Sequence, residues 1–206
     1  MTEKEKSITF VVWKDNIVMD NKTILDKRVL RQLIRARKKQ YSLEQREAWS
    51  RDICQQLLRH PRMQAADTVM LYYSLPDEVD THALVDSLVA AGKEVLLPKV
   101  LDGENMEARR YTGPADLAEG CLHLLEPVGA AFTDLASVPL IIVPGMSFDS
   151  NGHRLGRGRG YYDRFLSQLP QAWKIGVCFS FQRVDSVPVS ATDVVMDEVV
   201  SDKGED

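Results

Sequence analysis

The stretch from Thr68 to Leu97 most narrows the choice of fold, because its hydrophobic period changes twice. Thr68 to Tyr73 (TVMLYY) has the composition of a strand. Leu84, Val85, Leu88 and Val89 then recur at helical spacing, with Asp80 or Thr81 placed to cap the helix and Gly92 where a left-handed C′ residue belongs. Val95-Leu96-Leu97 is the next strand. Strand, helix and strand within about 30 residues form a βαβ unit, which demands a parallel strand pair with a right-handed crossover. The expected fold is therefore α/β, a three-layer sandwich around a mainly parallel central sheet.

The remaining pattern extends this frame. Thr23 to Gln40 reads as a helix with Leu30, Leu33 and Ile34 on one side and a dense basic face on the other. Ser42-Leu43-Glu44-Gln45 is a capping box opening a second helix with Trp49, Ile53 and Leu57 as its apolar stripe. Asp102-Gly103 signals a turn before a short strand over Glu107 to Tyr111, and residues 112–138, rich in Gly, Pro and Ala, read as loops with a short helix. Leu140 to Val143, four aliphatics bounded by prolines, fits a buried central strand. Lys174 to Phe179 and Val194 to Val200 are further strand candidates. Residues 1–24, with one strand-like run from Ile8 to Trp13, stand apart as an N-terminal extension, and 25–206 read as a single domain.

Composition removes several classes of function. With 206 residues, 27% charged, and a net charge of −4, the chain lacks the basic balance of a general nucleic-acid binder. No run approaches the ~18 apolar residues of a membrane span. Cys54, Cys121 and Cys178 are far apart and form no CxxC or zinc spacing; Cys54 and Cys178 lie in apolar stretches, usage that suits a reducing cytoplasm. Met106 and Met146 read as packing residues.

The chemistry concentrates between Pro144 and Asp163, where the chain leaves the buried strand and enters a helix bearing Tyr162, Phe165, Leu166 and Leu169. Gly152, Gly156, Gly158 and Gly160 alternate there with Arg154, Arg157 and Arg159. Glycines let backbone N–H groups approach a ligand, and arginines fork onto phosphate oxygens. A helix N-terminus adds positive potential, and loops at the carboxyl ends of parallel strands are where such folds bind ligands. Together these features indicate a polyphosphate site, although neither Walker A nor G-x-G-x-x-G is present, Tyr161 standing where the latter's third glycine would be.

Other groups have two readings at this level. Asp163 is either an acid favoured by the helix dipole or a carboxylate that shares a cation with phosphate oxygens. Tyr72, Tyr73, Asp77 and Glu78 either hold a flat, donor-rich heterocycle or divide into core aromatics and helix N-terminal charges. The helix bearing Lys27, Arg28, Arg31, Arg35, Arg37, Lys38 and Lys39 reads first as a solvated face. His153 shows no carboxylate partner in the sequence and reads as incidental.

The string Phe148-Asp149-x-x-Gly152-x-Arg154-Leu155-Gly156-Arg157-Gly158-Arg159-Gly160-Tyr161-Tyr162-Asp163 resembles the signature of the 5-formyltetrahydrofolate cyclo-ligases, also called methenyltetrahydrofolate synthetases. Lys27-Arg28-x-Leu30-Arg31 resembles that family's opening helix, and Asp77-Glu78, Glu126-Pro127, Val143-Pro144-Gly145 and Asp193-x-x-x-Asp197-Glu198 follow in the expected order. The likeness covers roughly residues 25–200 and implies a cyclo-ligase, NagB/RpiA-like type of sandwich.

The resemblance also implies roles. Lys27, Arg28 and Arg31 would reach the phosphates of ATP, and Arg154, Leu155, Gly156, Arg157, Gly158, Arg159, Gly160, Tyr161 and Tyr162 would wrap the nucleotide. Arg157, Gly158, Arg159, Gly160 and Tyr161 would also face the folate, with Tyr73 lining and Glu78 gripping the pterin pocket. Asp163 and Asp193 would hold Mg²⁺, and Arg157, Arg159 and Tyr161 would serve catalysis. Arg159 stands where many relatives have Lys, replacing a point charge by a fork. The implied activity is conversion of 5-formyltetrahydrofolate to 5,10-methenyltetrahydrofolate at the expense of ATP. The expected partners are ATP and a folate, with no nucleic acid and no membrane, and the expected form is a monomer. Two other readings stay open: a non-catalytic folate, nucleotide or RNA-associated protein with a cyclo-ligase-like domain, and a small-molecule kinase.

Overall fold

The computed structural model of the protein describes residues 26–120 and 125–203. The extension expected over residues 1–24, including the strand-like run from Ile8, and Cys121 lie outside them.

Helix α1 (Lys27–Lys38) starts at Asp26, whose side chain accepts from the Arg28 N–H, and buries Leu30 and Ile34. Helix α2 (Leu43–Arg59) opens with the expected capping box, in which Ser42 accepts from the Gln45 N–H while the Gln45 side chain accepts from the Ser42 N–H. A short helix α3 (Pro61–Ala65) leads into β1 (Thr68–Met70). Next come α4 (His82–Ala90), β2 (Glu94–Val100) and β3 (Met106–Tyr111). Thr81 is the cap residue of α4, but the capping hydrogen bond comes from its neighbour, Asp80 Oδ1 accepting from the His82 N–H at 3.0 Å. Gly92 follows the helix with φ 78°, as its position required.

Residues 112–138 hold more strand than their composition suggested. They contain β4 (Leu117–Glu119), β5 (Leu125–Pro127) and β6 (Ala131–Phe132), and the expected short helix is realised as 3₁₀ turns at Pro114–Asp116 and Leu135–Ser137. Beyond them lie β7 (Leu140–Pro144), β8 (Ser147–Phe148), β9 (Arg154–Leu155), α5 (Tyr161–Leu166), β10 (Trp173–Cys178) and β11 (Glu198–Ser201).

The central sheet has seven strands in the order β11-β10-β7-β1-β2-β3-β6. From β11 through β2 every neighbouring pair is parallel, and β3 pairs antiparallel with both β2 and β6. Alternate residues of the inner strands feed two separate cores. Val69, Val95, Leu97, Leu140 and Ile142 pack under α1, α2 and α4, whereas Met70, Leu96, Ile141 and Val143 pack with Phe148, the Phe165 and Leu166 of α5, and Leu169 just beyond it. Strands buried on both faces account for the uninterrupted aliphatic run of β7. The fold is thus the expected α/β sandwich. Among the described residues no helix is long and apolar enough to cross a membrane.

Chain order reverses at β1: through α4 it moves to β2 on one side, while β7 pairs on the other. A crevice opens beyond the carboxyl ends of such strands. Here the segments after β1 and β7 and the carboxyl end of β2 line it.

Candidate active site

The crevice is a cavity of about 1030 Å³. Its walls include Lys27, Arg31, Tyr73, Glu78, every residue from Arg154 to Asp163, and Asp193. Side chains far apart in the sequence are therefore brought together much as their types suggested. Arg28 is the exception: one position beyond Lys27 on α1, it is exposed and does not line the cavity. Lys27 and Arg31 are four residues apart and share a helix face; Arg28 is turned away by the 3.6-residue period.

The basic helix is divided accordingly. Lys27 Nζ pairs with Asp193 Oδ2 and bonds Ser190 Oγ at 2.9 Å. Arg31 Nε donates to the Gly156 carbonyl at 2.8 Å, tying α1 to the glycine-arginine loop. Lys38 also lines the cavity and donates to the Asp77 carbonyl and, at 3.0 Å, to Asp77 Oδ2. Arg28, Arg35 and Lys39 form the solvated face. The role of Lys38 was missed, although its spacing of seven from Arg31 places both on one stripe.

Within the loop the three arginines differ in environment. Arg154 is inward: its side chain is 4% exposed, Nη2 donates to Asp163 Oδ1 at 2.9 Å, and its guanidinium lies 5.5 Å from the Tyr162 ring centroid. Arg157 is 44% exposed and spans to the opposite wall, where Nε and Nη2 both donate to Glu78 Oε1, at 3.1 and 2.9 Å, and Nη2 also reaches Asp77 Oδ1. Arg159 is exposed, and among the described residues no group pairs with its guanidinium. Gly158 and Gly160 have φ of 112° and 72°, backbone that L side chains rarely adopt, so glycine is needed to turn the chain there. Tyr161 lines the cavity while its hydroxyl donates to the Asp102 carbonyl at 3.0 Å, pinning the start of α5 to the β2–β3 turn.

Electrostatics follow from these contacts. Burial alone would push the Asp77 and Asp193 carboxyls up. Hydrogen bonds from Arg157 and Lys38, and from Lys27 and Ser190, outweigh it and hold both below the usual carboxylate range. Tyr162 is pushed well up by burial, with Glu78 adding to the effect, so it stays a neutral phenol. The Tyr73 ring centroid lies 4.1 Å from that of His82, the planes tilted by 41°, and Tyr73 lines the same cavity as Glu78.

Asp163 and Asp193 both line the cavity, and the Val194 N–H, next in the chain to Asp193, donates to Asp163 Oδ1 at 3.3 Å. Among the described residues no group of three or more His, Cys, Asp and Glu side chains could hold a metal alone. Two hard carboxylates beside a cationic loop do fit a Mg²⁺ ion that takes its remaining oxygens from phosphate and water.

His153 does have a carboxylate partner, against the sequence reading: Nδ1 is 2.9 Å from Asp149 Oδ2. Asp149 is buried and also accepts from the N–H groups of Asn151, His153 and Val187, so this pair shapes the loop's base. Gln182 is a further cavity residue without a sequence signal; its Nε2 donates to the carbonyls of Gly145 and Met146 and fixes the turn after β7.

A glycine-arginine loop at the switch point of a parallel sheet, facing a wall of acids and aromatics across one cavity, is the kind of site on which α/β enzymes are built. The chain belongs to the 5-formyltetrahydrofolate cyclo-ligase family, whose model matches residues 23–202. It is 28% identical to the 5-formyltetrahydrofolate cyclo-ligase of Mus musculus over 187 residues, spanning 84% of this chain and 92% of the mouse protein. The solved structure of the Aquifex aeolicus 5,10-methenyltetrahydrofolate synthetase superposes with a TM-score of 0.76 at 35% identity, covering 86% of this chain and 90% of that one. The Mycoplasma pneumoniae 5,10-methenyltetrahydrofolate synthetase shares the fold, with a TM-score of 0.68 at 24% identity over 84% of this chain and 97% of its own.

Proposed function

We propose that the chain converts 5-formyltetrahydrofolate to 5,10-methenyltetrahydrofolate, using ATP with Mg²⁺ and releasing ADP and phosphate. One observation carries this reading: a single cavity joins the glycine-arginine loop to the Asp77-Glu78 wall, with Arg157 spanning the two. Its volume of about 1030 Å³ lies at the upper end of ligand pockets, as two substrates require.

A formamide carbon is a poor electrophile and its oxygen a poor leaving group. Transfer of the γ-phosphoryl group to the formyl oxygen forms a C–O–P linkage and releases ADP. The folate N10 then attacks the carbon, the C–O bond breaks, and the oxygen leaves on inorganic phosphate, to which the N10 proton passes. Such chemistry needs positioning and charge neutralisation more than a protein nucleophile. Lys27 and Arg31 anchor the polyphosphate, and residues 154–162 enclose it. Arg157 and Arg159 balance charge on the transferring group, with Tyr161 holding the loop beside them. Glu78 accepts from the amino and ring N–H donors of the pterin, and Tyr73 lines its face. Asp163, oriented by Arg154, and Asp193 would hold the metal, which would supply neutralisation of phosphate charge.

In this reading 25–206 are one catalytic domain and 1–24 an extension. The protein works as a cytoplasmic monomer without nucleic-acid or membrane partners, and the free thiols of Cys54 and Cys178 suit that compartment. Incubation with 5-formyltetrahydrofolate tests the reading: the near-ultraviolet band of the methenyl product should grow only when ATP and Mg²⁺ are both present. Folded, ATP-binding protein that forms no product would overturn it.

A further inference from the structure

Arg157 stands between Gly156 and Gly158 on a loop whose glycines restrain it little, and immobilising an arginine side chain costs up to about 2 kcal/mol of rotamer entropy. Its guanidinium is nevertheless held at three contacts, two to Glu78 Oε1 and one to Asp77 Oδ1. Asp77 is itself fixed. Lys38, with its side chain 15% exposed, donates to the Asp77 backbone carbonyl and to Oδ2. One Asp77 oxygen therefore faces Lys38 and the other faces Arg157.

Glu78 has less to spare. Its Oε2 accepts from the Leu75 N–H at 3.1 Å, which leaves Oε1 to serve both donors of Arg157. Substrate N–H groups that claim Glu78 would compete for that oxygen and so would loosen Arg157 from it. Asp77 is outside that competition. A bare carboxylate so close to a transferring phosphoryl group would repel it, and Lys38 offsets that charge.

We infer that Asp77, braced by Lys38, is a positioning residue that keeps Arg157 over the cavity when substrate takes Glu78. The inference rests on the reading of Arg157 and Glu78 given above. Hydrogen bonds from Arg157 and Lys38 outweigh the burial that would push the Asp77 carboxyl up, so it remains ionised across the neutral range.

The test is a double-mutant cycle in the 5-formyltetrahydrofolate and Mg-ATP reaction. Asp77→Asn should lower kcat about 10- to 100-fold and change the folate KM less than about threefold, while in an Arg157→Ala background it should change kcat hardly at all. A merely structural role would cost the same in both backgrounds. The second readout needs no turnover: the Arg157 side-chain N–H signals of ¹⁵N-labelled protein, assigned by their loss in Arg157→Lys. They should stay resolved in Glu78→Ala, where Asp77 alone holds the guanidinium, and be averaged in Asp77→Asn/Glu78→Ala. Additive kcat losses overturn the inference, and so do unchanged N–H signals. Wild-type protein that makes no methenylfolate would sink the functional reading, and the N–H signals alone would then decide the place of Asp77. Should Asp77→Asn not fold, Lys38→Gln removes the brace, leaves both carboxylates, and is expected to give the same changes.

Discussion

Arg154 Nη2 lies 2.9 Å from Asp163 Oδ1, and this pair joins the base of the glycine-arginine loop to the first turn of α5. The arginine is almost wholly buried, while Asp163 keeps one edge toward the cavity. The contact sets the direction of a carboxylate proposed to face Mg²⁺, so Arg154 serves the site mainly through Asp163.

Arg154→Met should therefore destabilise the fold as well as the site. Removing one partner of a buried pair leaves the other charge uncompensated, a loss of about 3 kcal/mol, the low end of the usual range because Asp163 retains contact with water. Urea unfolding checks this, and Arg154→Lys should recover little, since a point charge cannot reach both Asp163 and the Pro144 carbonyl as the fork does.

The opposite walls should separate kinetically. Arg157→Ala is expected to lower kcat about 10²- to 10³-fold, with a much smaller change in folate KM, because its charge is needed most in the transition state. Glu78→Gln should weaken folate binding about tenfold and leave ATP affinity within about twofold. Isothermal titration of each ligand and steady-state rates measure both, and equal losses of kcat and affinity in Arg157→Ala would show ordinary binding.

Asp149 gives a pH prediction. Burial would raise its carboxyl, but hydrogen bonds from Val187, His153 and Asn151 hold it below the usual range. A depressed folded value contributes stability above the unfolded value of about 3.9, and that stability is lost as pH falls through the folded one. Asp149→Asn should thus cost about 1.5–3 kcal/mol at pH 7, the worth of hydrogen bonds to a charged acceptor. The gap from wild type should narrow below about pH 4, which unfolding at stepped pH would reveal; a constant gap would contradict the ionic role.

Gly152 has φ 81°, and a Cβ there would collide with the Met196 carbonyl oxygen. Gly152→Ala combines backbone strain with that collision and should cost at least about 1–3 kcal/mol. It should lower activity as well, because Met196 N–H bonds the Gly152 carbonyl and steadies the Val194 side of the cavity. Thermal unfolding and turnover of the same sample test the two effects.

Much of this was legible because short-range chemistry agreed with the final packing. The capping box at Ser42, the aliphatic run of β7 and the βαβ unit were each decided by local pattern. What the sequence hid was set by long-range partners. The expected strand from Thr68 to Tyr73 ends at Met70 in the structure, because the ladder to β7 stops at Ile141 where the crevice opens. The helix expected to reach Leu169 ends at Leu166: i→i+3 bonds tighten the chain and Pro170 follows. β11 begins only at Glu198, since the N–H groups of Val194 and Met196 are spent on Asp163 and Gly152. Likewise Lys38 was read as solvated because Asp77, 39 residues on, is invisible to a helical wheel.

The measurement that bears most directly on the central claim is the fate of the formyl oxygen. With 5-formyltetrahydrofolate carrying ¹⁸O in the formyl group, and with ATP and Mg²⁺, activation by phosphoryl transfer places one ¹⁸O in each inorganic phosphate released. Phosphate bearing the label in step with methenyl product would match the account. Unlabelled phosphate, with the ¹⁸O recovered in water, would contradict it, because the oxygen would then have left without ever being phosphorylated.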